Sequence, residues 1–331
     1  MFAMRDFEKL RDGLLKGERL ALSKAITLIE TDAPGNFEKR DRLIKEMENL
    51  NKPGLRISVT GVPGAGKSTF IDLLGMKWIN EGHKVAVLAI DPSSSLSQGS
   101  ILGDKTRMNH LSVHQNAFIR PSPTRLQLGG VASSTFETIL LCEAAGFDRI
   151  IVETVGVGQS ETLASNLTDL CLLLVVTGTG DDLQGVKKGI LETADFILVN
   201  KADGQNVQEA AQFERELKQI SGLWPLRQNG KPAAVFKGSS VLPESLNELF
   251  ECMVTYFGEV NQSGALAKKR SEQKVIWLRS IVRKRLEEQL ISNPIWKKAL
   301  EKSESAVLNG ANVIEEMIRI LKTLEANSRF Y

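Results

Sequence analysis

The rhythm of apolar positions changes twice along the chain. From Met4 to Ile29 apolar residues recur three or four apart without a proline, which predicts helix. Asp32-Ala33-Pro34-Gly35 breaks it, a second helix is expected to about Leu50, and Asn51-Lys52-Pro53-Gly54 marks a boundary. From Leu55 the pattern becomes short apolar runs: residues 55–60, 84–90, 149–154, 170–177, 195–200 and 233–236. Several are apolar throughout, as strands covered on both faces are. Helices are expected over about 66–80 and up to Ala145, with residues 91–131 rich in loops. Strands alternating with helices predict a parallel α/β sheet. After Gly264 the three-and-four spacing returns, in Val275, Leu278, Val282, Leu286 and in Ile314, Met317, Leu321, Leu324, with Asn293-Pro294 separating two helices. Such stripes pack on a parent domain or on a second subunit. The division expected is an N-terminal helical extension (1–50), an α/β domain (51–264) and a C-terminal helical extension (265–331).

Composition narrows this. With 331 residues, 25% charged and 42% apolar, the chain is long and apolar enough to bury a core. Its longest strong apolar run, Cys171–Val176, is far short of the ~18 residues of a membrane span. The first twenty residues mix acids with apolar side chains and lack a signal core, so no membrane role and a cytoplasmic location are expected. Cys142, Cys171 and Cys252 are scattered, which argues against a disulfide framework or a cysteine metal site. Residues 265–331 carry 14 basic and 8 acidic residues. No aromatic-interleaved basic patch or nucleic-acid motif accompanies them, so nucleic-acid binding is not expected.

The chemistry begins where the first strand ends. Gly61-Val62-Pro63-Gly64-Ala65-Gly66-Lys67-Ser68-Thr69 fits G-x-x-x-x-G-K-[ST], follows an apolar strand and opens a helix. Glycines let the backbone wrap a phosphate, and the helix N-terminus favours negative charge. Lys67 is expected to neutralise the β- and γ-phosphates and the Ser68 hydroxyl to reach Mg²⁺. This makes the domain a P-loop NTPase domain with a mostly parallel central sheet. Downstream, Asn200-Lys201-Ala202-Asp203 closes another strand in the N-K-x-D pattern of guanine-nucleotide proteins. An aspartate can accept from both guanine N1–H and the exocyclic amine, and adenine would leave it unpaired. Lys201 would lay its stem along the base. Ser239-Ser240-Val241, after the strand at 233–236, is positioned as a second base loop. GTP or GDP is the expected ligand.

Three carboxylates are metal candidates: Asp91 and Glu153 at strand ends, and Asp104 in a loop. Glu153-Thr154-Val155-Gly156 resembles the D-x-x-G switch with glutamate for aspartate, and Gly156 would offer its N–H to the γ-phosphate. The residue after that glycine is Val157 rather than the water-orienting Gln of many GTPases. Gln159 and Lys105 are the remaining candidates, so slow hydrolysis accelerated by a partner is expected. His110 and His114 have i, i+4 spacing but no third ligand is evident nearby, and a polar helix surface or interface is the expectation.

Taken together, GVPGAGKSTF, VLAIDPSS with GSILGDKTRM, AFIRPSP, LLCEAAGFD, VETVGVGQSE, GDDLQGVKKG and NKAD resemble the MeaB/ArgK-type GTPases, the family that includes the methylmalonic aciduria type A protein. The resemblance runs in order over roughly residues 5–290. It implies a G domain flanked by helices, a homodimer formed through the C-terminal helices, and a chaperone for an adenosylcobalamin-dependent acyl-CoA mutase, chiefly methylmalonyl-CoA mutase. It also implies that residues 180–189 move with nucleotide state, with Asp182, Gln184 and Lys188 as candidates for chemistry or signalling there. SLSQGS (95–100) and SPTRLQLGG (122–130) depart from the family pattern. The alternatives are a metallochaperone-type GTPase, which wants a Cys/His cluster, a kinase linked to basic amino-acid transport, which N-K-A-D disfavours, and a binding module without turnover.

Overall fold

The computed structural model describes residues 2–31, 37–50, 52–91, 108–123, 128–154, 164–177 and 188–327. The chain divides into two compact units, Met1–Val275 and Ile276–Tyr331. The first opens with helices α1 (Phe2–Leu15), α2 (Arg19–Glu30) and α3 (Phe37–Asn49). The single helix expected over Met4–Ile29 is thus two. Gly17 takes φ +76 and donates to Leu14 O, while Glu18 N reaches back to Gly13 O, so a left-handed glycine closes α1.

Seven strands follow: β1 (Leu55–Gly61), β2 (Val85–Asp91), β3 (Ala117–Pro123), β4 (Arg149–Thr154), β5 (Leu170–Val175), β6 (Phe196–Val199) and β7 (Ala234–Lys237). They form one parallel sheet in the order β3-β2-β4-β1-β5-β6-β7. Between them run α4 (Lys67–Asn80), α5 (Leu128–Ala144), a single turn at Lys188–Leu191, α6 (Val207–Ser221) and α7 (Asn247–Gln262). β3 lies inside the stretch expected to be loop. Pro121 and Pro123 disguise it, and its place at the sheet edge, with only β2 beside it, is where proline is tolerated.

The pleat divides each strand between two cores. Leu172 and Leu174 join Phe70, Ile71 and Leu74 of α4 and Leu249, Met253 and Tyr256 of α7. Leu173 and Val175 join Phe213 and Leu217 of α6. The N-terminal helices pack on α5, where Arg40 of α3 makes a buried bidentate pair with Glu137.

Helix α8 (Ala265–Ser292) begins in the first unit. There Arg270 grips the fully buried Asp169 with Nε at 2.9 Å and Nη2 at 2.6 Å, and Gln273 donates to Thr168 O. In the second unit α9 (Pro294–Leu308) is capped by Asn293, with Pro294 at its first position. Gly310, at φ +92, ends it before α10 (Val313–Asn327), a break additional to the expected one at Asn293-Pro294. No helix among the described residues is long and apolar enough to cross a membrane.

Candidate functional site

Because every strand is parallel, all seven carboxyl ends lie along one edge of the sheet. The β1 end sits between β4 and β5, where chain connections leave in opposite directions, and α/β sheets bind ligands at such a crevice. Val59 is in register with Glu153, and Gly61 with Leu174. The turn that follows β1 closes with Ala65 N donating to Val62 O. Gly64 faces open space. A Cβ at Gly61 would stand 2.2 Å from Leu174 O, and one at Gly66, at φ +89, would stand 2.6 Å from Asn200 Nδ2. These two glycines are therefore required by the closeness of β5 and of the N-K-A-D turn.

Helix α4 starts at Lys67 with no side-chain cap from Gly66, so its N-terminal end, where an α-helix presents its first N–H groups, opens toward the loop. The buried Lys67 folds back, Nζ lying 2.8 Å from Gly61 O and 3.2 Å from Val62 O. Ser68 Oγ donates to Glu153 Oε1 at 3.2 Å, so the first strand's loop and the end of β4 converge. Thr154, the next residue, donates to Thr60 Oγ1 at 2.9 Å, a second link between β4 and β1. Asp91 closes β2. Asp104, Lys105, Gly156, Gln159, Asp182 and Gln184 lie outside the described residues. Lys188 begins the short turn before β6.

On the other side of β1 the N-K-A-D turn meets the 239–241 loop. Asn200, 1% exposed, spends its amide within the protein. Nδ2 donates to Ala65 O at 2.7 Å, and Oδ1 accepts from Ser240 N at 3.1 Å and Ser240 Oγ at 2.9 Å. It binds the phosphate loop and both base loops into one frame. Lys201, at φ +59, is the only non-glycine residue with positive φ among the described residues. A left-handed lysine is a strained backbone of the kind that clusters at functional sites. Asn206 holds it there, Nδ2 donating to Lys201 O at 2.8 Å, and accepts in turn from Thr177 Oγ1 at 2.5 Å. Asp203 Oδ1 accepts from Ser239 Oγ at 2.9 Å, and Ala202 N donates to Gly238 O. Val241 is exposed beside them.

The two histidines correct the expectation of a shared helix face. They flank a single 3-10 turn, Leu111–Val113. His110 Nδ1 lies 2.7 Å from Asp72 Oδ2, while His114 Nδ1 accepts from Asn116 N. Asp72, on α4, also accepts from the N–H of Leu111, which pins this segment on the phosphate-loop helix. Asp72, Thr177 and Asn206 carry no sequence motif, and their parts depend on partners brought together by the fold.

A family model described as the methylmalonyl-CoA mutase-associated GTPase MeaB matches residues 22–295. A probable GTPase of Mycobacterium tuberculosis is 45% identical over 295 residues, covering 89% of this chain and 88% of its own. The mitochondrial methylmalonic aciduria type A homolog of Mus musculus is 39% identical over 319 residues, covering 93% and 76%. Among solved structures, one described as a LAO/AO transport system kinase superposes with a TM-score of 0.72 at 31% identity, over 96% of this chain and 97% of its own.

Proposed function

The chain belongs to the MeaB family of mutase-associated GTPases, and on that premise we propose that it is a GTP-hydrolysing chaperone that assists an adenosylcobalamin-dependent acyl-CoA mutase in cofactor loading and protection. The observation that carries this reading is the Asn200 amide. It ties the phosphate loop to both base loops, the arrangement a guanine nucleotide would span.

In this reading Gly61, Gly64, Ala65, Gly66, Lys67, Ser68 and Thr69 cradle the phosphates. Lys67 exchanges its two carbonyl partners for phosphate oxygens, a favourable exchange because its ammonium then faces anionic acceptors in place of neutral ones. Asp203 accepts from the base edge, and Lys201 lies along its plane, with Ser239, Ser240 and Val241 closing the far side. A hydroxyl beside a carboxylate oxygen, Ser68 with Glu153, is the all-oxygen donor set that suits magnesium. Magnesium, when bound, supplies charge neutralisation at the phosphates. Asp91 and Asp104 complete the proposed donors. Gly156, Lys105, Gln159, Gln184 and Lys188 are the proposed switch and turnover groups, and without a glutamine after Gly156 the intrinsic rate is slow. We assign residues 51–264 to the nucleotide domain and 1–50 and 265–331 to its helical extensions. Exposed Leu278, Val282 and Leu286 on α8 support a dimer through the C-terminal helices.

The test is GTP turnover by the purified protein with and without a cobalamin-dependent acyl-CoA mutase. Slow turnover that rises severalfold with the mutase is the expected result. Turnover unchanged by any such mutase overturns the chaperone reading. A preference for ATP, with phosphate transferred to a protein acceptor, would favour the kinase that the solved relative's description names.

A further inference from the structure

We propose that Ser245 is a positioning residue for base selection, acting on Asp203 through Ser239. The inference rests on the guanine-site reading above and adds to it a residue that lies outside both base motifs. Ser245 sits in the turn between β7 and α7. Its Oγ donates to Leu242 O at 2.7 Å and accepts the N–H of Ser239 at 2.9 Å. A hydroxyl has one proton, so the shorter contact takes it and the lone pairs remain for the Ser239 N–H. Ser239, 2% exposed, then donates its own hydroxyl to Asp203 Oδ1. Asp203 Oδ2 has no hydrogen bond in the described structure. One carboxylate oxygen is thereby fixed by Ser239, and the half-buried Asp203 keeps the other for a ligand, close in sequence to the strained Lys201.

The surroundings leave this relay little play. A Cβ at Gly238 would stand 2.5 Å from Leu246 Cδ2 and 3.1 Å from Ser245 Oγ, so strand exit and turn are pressed together. Ser239 N and Ala202 N are both held, the first by Ser245 and the second by Gly238 O. Ser245 itself is exposed, whereas its neighbour Leu246 is fully buried. Core packing is therefore the work of Leu246, and removing the Ser245 hydroxyl leaves no cavity. What it removes is the acceptor that sets Ser239, and with it the aim of the Asp203 carboxylate. That aim matters most for a base that offers two adjacent donors, N1–H and an exocyclic amine, and less for hypoxanthine, which offers only N1–H.

The experiment compares GDP and IDP binding by the full-length wild type, Ser245→Ala and Ser245→Thr, with thermal unfolding as a control. Losing one neutral hydrogen bond should weaken GDP about three- to tenfold. IDP should weaken less, so the GDP/IDP preference falls. Thr, which keeps the hydroxyl at an exposed position, should restore the preference. Ser239→Ala should lower it too, and the double variant should add little, because the two act in series. Equal weakening of both nucleotides, or an unchanged ratio in Ser245→Ala, overturns the proposal while leaving the guanine site intact. A wild type that binds GDP no better than IDP and ADP overturns the guanine reading and this proposal together.

Discussion

Gly66 shows how little freedom single positions have at the nucleotide crevice. Its φ of +89 costs a side-chain-bearing residue ~1–2 kcal/mol, and a Cβ there would displace the Asn200 amide. Gly66→Ala should therefore fold but lose GDP affinity at least about tenfold, measured by titration of a fluorescent GDP, since ~1.4 kcal/mol is a factor of ten. Asn206→Ala releases the carbonyl of a left-handed lysine. A severalfold loss of GDP affinity with little change in the melting temperature is expected, because Asn206 is only part-buried. Residues such as Lys67, Ser68, Asn200 and Asp203 were legible because contiguous motifs carry them. Asn206 and Thr177 were not. They matter because Lys201 turns left-handed and because β5 ends beside the turn, neither of which is written in neighbouring letters.

At the scale of elements, one carboxylate joins the sheet to α8. Asp169 is fully buried and accepts from Arg56 N and from Arg270, and its carbonyl takes Lys269. Breaking a buried pair from one side leaves the other charge uncompensated. Asp169→Ala should cost ~3–5 kcal/mol, read as a drop in the urea midpoint. The β1, β2, β4, β5, β6 and β7 strands, helix α4 and the C-terminal ends of α3 and α5 follow the apolar rhythm to within one or two residues, the usual spread at element ends. Three features escaped it, each for a physical reason. Gly17 and Gly310 stop helices by taking left-handed backbone, while their flanks keep helical spacing. β3 pairs on one side only, so the two prolines that break its pattern do no harm.

For the molecule as a whole, stability should carry a pH signature from one buried acid. Asp195 has its pKa raised by burial, against the opposing influence of Lys269, the Cys171 N–H and the Tyr256 hydroxyl. A raised carboxyl favours the fold while it is protonated in both states. That contribution is lost as pH rises from the ordinary value of 3.8 through the raised one. Asp195→Asn, always neutral, should thus gain on the wild type over that interval, as followed by urea midpoints across the pH range. Association should depend on the apolar stripe of α8. If it forms the proposed dimer contact, Val282→Glu with Leu286→Glu should yield a monomer by light scattering, with GDP binding retained. Finally, the hydrogen bond from Asn200 to Ala65 closes a loop of 135 residues. A contact so distant in sequence forms late in folding, because closing a long loop must precede it. The crevice is therefore absent until most of the sheet exists, and GDP has nothing to hold in the folding transition state. Bound GDP should leave the refolding rate nearly unchanged and lengthen the lifetime of the native state, making the nucleotide a brake on unfolding rather than a guide to folding.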